Sequence, residues 1–192
     1  MAGLTVEFEK RKDGDSVLRC IRADGSTTWQ HHAGPRGVFF AYHDLTHLAV
    51  ERTLGLRTGF FGLIASGWEI AETEGKSARG PLPPGTVEVE NLVGLFDRER
   101  GSLAEWSADE FNTAASSYAA HHGHAAPAAL SDDEVIRVRA AIRELQDAWR
   151  NTAPGSTLGV EFGPGAPPAR PSASPPAAPA VSASSPGSSR GR

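Results

Sequence analysis

The stretch Leu4-Thr5-Val6-Glu7-Phe8 returns near the far end of the chain as Leu158-Gly159-Val160-Glu161-Phe162, and this constrains the fold most. Strict apolar–polar alternation is the period of a strand with one buried face. Nothing around the two stretches repeats, so they express one shared strand requirement and not a duplicated domain. Two more β-rich runs follow Phe8, Val17 to Arg22 and Thr27 to His31. Asp13-Gly14 and Asp24-Gly25 punctuate them. Asp-Gly favours tight reversals, so the spacing predicts an antiparallel meander that the C-terminal strand rejoins.

The middle of the chain has a different period. From Val38 to Leu54 there is no breaker, and Gly55 stands where a helix C-cap belongs. A second apolar helix is expected over Thr58–Thr73, and a third over Thr86–Arg100 with Val89, Leu92, Val93 and Phe96 at helical spacing; Val87-Glu88-Val89-Glu90 also permits a short strand. Ser107-Ala108-Asp109-Glu110 and Ser131-Asp132-Asp133-Glu134 have capping-box form and should open two more helices. The last of these carries Val135, Val138, Ile142, Leu145 and Trp149 on one stripe. The expected fold is α+β: a small antiparallel sheet of three or four strands packed with about five helices, in one domain spanning 1–162. Residues 163–192 are Pro, Ala, Ser and Gly with three arginines and Val181. Such a composition has little to bury against its ordering entropy, so a disordered tail is expected there.

Composition excludes several classes of function. The formal net charge is −4 with both signs interspersed, and no basic block would track a phosphate backbone. No apolar run approaches the roughly 20 residues that cross a bilayer. The N-terminus is charged where a signal peptide is apolar. Cys20 is the only cysteine, which rules out an internal disulfide and reads as a buried thiol. These features predict a cytoplasmic protein that meets neither membrane nor nucleic acid, acting on a small-molecule substrate that the sequence does not identify.

The candidate chemistry lies in His43-Asp44-Leu45-Thr46-His47. On a helix, residues four apart share a face about one turn apart, close enough for two imidazoles to reach one divalent ion. Phe40, Val50 and Leu54 fall near the same stripe, while Leu45, Leu48 and Ala49 cover the other side. The helix should therefore be buried, and a buried imidazole must be hydrogen-bonded or ligated. Glu51 continues the stripe one turn beyond His47, and Asp44 lies seven residues before it. A regular helix sets His43 and Glu51 about 12 Å apart along its axis. Glu51 is thus cast as orienting His47, or as a base at the edge of the site.

His43-Asp44-Leu45-Thr46-His47 resembles the H-E-x-x-H helix of zincin metallopeptidases, with Asp44 in place of the glutamate. The resemblance implies His43 and His47 as ligands and Asp44 as the group that activates water; Asp is one methylene shorter. The run is also similar to the H-D-x-x-H motif of the ubiquinone-biosynthesis Coq family, in which a glutamate follows twelve residues after the second histidine. Here that position is Gly59. From His43 to Trp68 the chain is similar to small bacterial proteins carrying the same H-D-L-T-H-x-x-V-E run, a similarity that implies a common helix and no activity.

Glu69 and Glu72, on the expected second helix, are the candidates for completing a metal site. His31 and His32 end a strand, where exposed polar residues are ordinary, and one of them could add a ligand. His121, His122 and His124 complement the C-terminal dipole of a helix. Trp29, Trp68, Trp106 and Trp149 are dispersed and read as core. Two functions stand open: a metal-dependent hydrolase using zinc or iron, with Asp44 or Glu51 as base, and a non-catalytic accessory or interaction protein whose histidines are structural.

Overall fold

The computed structural model describes residues 3–75, 79–102, 104–163 and 170–172. The architecture is α+β. Three N-terminal strands, β1 (Leu4–Lys10), β2 (Ser16–Arg22) and β3 (Thr27–His32), form the meander, and β4 (Ser156–Phe162) returns to pair with β1. A short β5 (Arg170–Ser172) completes an antiparallel sheet of order β3-β2-β1-β4-β5. The two echoing stretches are partners, with Leu4 opposite Phe162, Val6 opposite Val160 and Phe8 opposite Leu158. All six side chains face one side and are buried. At about 1.5–3 kcal/mol for each fully buried side chain of this kind, that double row is a large part of the core. The opposite face carries cross-strand polar pairs, among them Glu7 with Arg19 and Thr5 with Glu161. In both hairpins the aspartate before the glycine accepts an N–H two residues on, Asp15 for Asp13 and Ser26 for Asp24.

Five helices lie over the covered face: α1 (Pro35–Leu54), α2 (Phe60–Ala65), α3 (Thr86–Ser102), α4 (Ala108–His122) and α5 (Asp132–Asn151). Helix α1 is central, packed on α5, α3, α2 and strands β2 and β3. Gly55 caps it in the left-handed conformation, its N–H reaching the Glu51 carbonyl. Both Ser-led capping boxes form, Ser107 with Glu110 and Ser131 with Glu134. Residues 86–90 are helical, not a strand.

Two expectations are corrected. The second helix does not run to Thr73. It ends at Ala65, because the chain turns at Gly67 with φ 91°, and a separate 3-10 turn follows at Ile70–Glu72. Trp29 is 63% exposed, since in the outer strand β3 it is Thr28 that points inward. Within the tail expected from residue 163, the described segment Arg170–Ser172 pairs with the outer edge of β4, whose backbone groups are otherwise unpaired. Pro171 is tolerated there because an edge strand leaves one N–H side unused. The remainder of that expectation, 164–169 and 173–192, lies outside the described residues.

Candidate metal centre

Helix α1 is buried continuously from Asp44 to Glu51, so both imidazoles stand between the core and α3. The ring of His47 is 4% exposed and that of His43 is 28% exposed. The two rings lie 4.8 Å apart, almost perpendicular to one another. Phe39 stacks beside His43 and Phe60 lies beside His47.

Each imidazole is held by a carboxylate at Nδ1. His43 Nδ1 lies 2.7 Å from Asp97 Oδ2, and His47 Nδ1 lies 3.2 Å from Glu51 Oε1. A hydrogen bond at one ring nitrogen fixes the tautomer and turns the other nitrogen outward as the lone-pair donor. The carboxylates are themselves anchored. Asp97 accepts from Thr46 and Arg100, each at 2.9 Å. Glu51 is fully buried and accepts from the backbone N–H groups of Phe61 and Gly62 where α2 begins. Glu51 therefore orients His47, as the sequence reading allowed, and both its oxygens are already engaged, by His47, Phe61 and Gly62.

Glu90 of α3 closes the arrangement. Its Oε2 is 3.4 Å from His47 Nε2, long for a hydrogen bond. Among the described residues, His43, His47 and Glu90 form the group able to hold a metal ion, their donor atoms all within 4.8 Å of one another. Two ligands bound tetrahedrally at about 2.0–2.1 Å stand about 3.3 Å apart. The His47–Glu90 pair already has that spacing, and the third donor must close by roughly an ångström and a half. The Glu90 carboxylate is half exposed, so the group opens to solvent on the α3 side.

The charges favour a cation. Glu51, Glu90 and Asp97 surround two imidazoles, with Arg100 as a counter-charge on Asp97. For His47, burial opposes the charged ring, but the contacts with the Glu51 and Glu90 carboxylates outweigh it and raise the pKa to about 10. Burial pushes the Glu90 and Asp97 carboxyls upward, yet His47 for the first, and His43 with Arg100 for the second, bring both below the usual range. Asp44 differs. It is buried, its Oδ2 has no hydrogen-bond partner, and burial raises its pKa to about 7 despite both histidines.

The other expected ligands are elsewhere. Glu69 and Glu72 cap the 3-10 turn and pair with Arg22 and Arg79, each at 3.1 Å, and they are not part of the histidine group. The break at Gly67 removes the continuous second helix that would have carried them toward α1. His31 bonds to Asp15 at 2.6 Å and His32 stacks on Phe40. His121, His122 and His124 are exposed at the end of α4. Glu90 and Asp97 were missed by sequence reasoning. Their signal was a pair of acids seven apart, two turns of one helix face, flanking the apolar stripe of α3.

No protein-family model matches this chain, and no curated protein or solved structure is significantly similar to it. Among the described residues no helix is long and apolar enough to cross a membrane.

Proposed function

We propose that this protein is a metal-dependent hydrolase acting on a small molecule in the cytoplasm, with His43, His47 and Glu90 holding zinc or iron. The observation that carries the reading is the paired restraint of both imidazoles at Nδ1 by Asp97 and Glu51, beside a third donor at ligand spacing. Two nitrogen donors and one carboxylate leave a coordination position for water or substrate, as catalytic rather than structural zinc sites do. The imidazoles favour zinc or iron over magnesium. Such an ion supplies Lewis acidity and a more acidic water. The chain supplies orientation through Asp97 and Glu51, and Asp44, with a pKa near neutral, is the group suited to exchange a proton.

A second reading is favoured by one observation: His47 is already enclosed by two carboxylates, which would satisfy a purely structural histidine. It makes the protein a non-catalytic accessory. Metal analysis of protein purified without a histidine tag separates the two. About one ion per chain, lost in His43→Ala, His47→Ala and Glu90→Gln, is the expected result. No bound metal, together with a melting temperature unmoved by zinc, iron or manganese, supports the structural reading.

A further inference from the structure

A second site lies on the other side of α1, where the β1–β2 hairpin, the first turn of α1 and the end of α5 enclose a groove of about 330 Å³. The cavities between α3 and α5 and beside Glu90 are about 200 and 220 Å³. Ligand pockets run from about 300 Å³ upward, and of these three cavities the hairpin groove reaches that size.

Its lining is basic although the chain is net acidic. Lys10, Arg11, Lys12 and Arg150 face one carboxylate, Asp15. That carboxylate is already engaged, with Oδ2 on His31 Nε2 at 2.6 Å and Oδ1 accepting the Gly34 N–H at 2.7 Å. Arg11 meets Glu9 at 3.5 Å, and Arg150 pairs with Asp147; both pairs are solvent-exposed and worth little. Lys10 Nζ donates to the Trp149 and Arg150 carbonyls, and an ammonium has a third N–H to give. Lys12 has no ion pair among the described residues. Gly37 and Val38 bring the positive end of the α1 dipole to the same groove. The apolar walls are Val38, 55% exposed, and Tyr42, while Trp149 is buried beneath the Lys10 ammonium, which stands 4.6 Å from its ring centroid.

We infer that this groove binds a small phosphorylated molecule with an apolar body, a phosphomonoester whose dianion meets Lys12, Lys10 and Arg150 while its body lies against Val38 and Tyr42. A single carboxylate would leave most of that positive charge unanswered, whereas a phosphate dianion accepts several charge-assisted hydrogen bonds at once. The inference is independent of the metal centre, since none of its residues ligates there.

The test is calorimetric titration of the full chain with phenyl phosphate, inorganic phosphate and a short single-stranded oligonucleotide. Phenyl phosphate is expected to bind at least tenfold tighter than inorganic phosphate. Lys12→Glu should weaken it by about tenfold or more, the scale of one charge-assisted contact, with the melting temperature unchanged. Lys12→Gln serves if the reversal disturbs folding. Absence of phenyl phosphate binding at millimolar concentration, equal affinity in wild type and variant, or tighter binding of the oligonucleotide overturns the inference.

Discussion

Gly59→Ala should damage both stability and the metal centre, for a steric reason specific to its position. Gly59 has extended backbone, so a methyl group meets no conformational strain. What it meets is Glu51. A Cβ there would lie 2.4 Å from Glu51 Cδ, 2.7 Å from Glu51 Oε1 and 2.6 Å from a methyl of Val89. Ordinary contact begins near 3.4 Å, so the carboxylate must retreat by about an ångström. It has nowhere to go, being fully buried and held by the N–H groups of Phe61 and Gly62. Glu51 Oε1 is shared by His47 Nδ1 and the Phe61 N–H, each at 3.2 Å, so its retreat loosens the bond to His47. Overpacking costs about 1–3 kcal/mol, and a hydrogen bond to a charged group about 1.5–3, so the combined loss is about 3–5 kcal/mol. At about 2–4 °C per kcal/mol for a chain of this size, melting should fall by about 6–20 °C. Freed from Glu51, His47 should hold metal about 10–100-fold more weakly. Gly94→Ala is the control: its Cβ meets nothing within 4 Å on helix α3, and the substitution should stabilise by about 0.5–1 kcal/mol. Calorimetric melts and metal titrations of both variants provide the check. A Gly59→Ala protein that melts within about 2 °C of wild type and keeps its metal affinity would refute the packing argument.

Metal binding at pH 7.5 should release about one proton, because His47, protonated up to about pH 10 in the metal-free chain, must deprotonate to ligate. Titrations in two buffers of different ionisation enthalpy measure this, and a proton count near zero contradicts it. Asp44→Asn should gain stability relative to wild type as pH rises through the window from 3.8 to about 7 in metal-free protein. Across that window the unfolded wild-type carboxyl ionises while the folded one stays neutral, which costs up to about 4 kcal/mol; denaturant midpoints at pH 4 and pH 8 should show the difference growing with pH. Cys20 is buried and its thiol is pushed well above the usual range by burial, so native protein should resist a thiol reagent that reacts readily in denaturant. Labelling at the same rate in both conditions would contradict this.

The strands, both capping boxes and the α1 cap were legible because each is written locally, in alternation, in Ser-x-x-Glu and in a glycine after a long apolar run. The second helix was over-extended because its apolar content is high as far as Ile70, whereas the termination depends on Gly67 taking a left-handed turn. Trp29 was misplaced because strand periodicity fixes which residues share a face but not which face is covered. That depends on α1 packing against β2 and β3 on one side only. The pairing of Arg170–Ser172 with β4 was not legible, since no alternation or turn residue in the sequence marks it.

The metal centre divides along the same line. The His47–Glu51 contact spans one helical turn and was readable as such; the His43–Asp97 and His47–Glu90 contacts join two helices and were not. Helices α1 and α3 meet so that the earlier histidine faces the later acid, and the later histidine the earlier acid. Four residues separate the histidines and seven the acids, so the acids straddle the imidazoles. Asp97 is thereby set against an Nδ1 and Glu90 against an Nε2. This difference of spacing leaves Asp97 bonded to a ring at Nδ1 and Glu90 beside the other ring's Nε2, within the group that could hold an ion. A motif of two histidines on one helix can announce such a site, but only the packing of a second helix decides which carboxylate completes it.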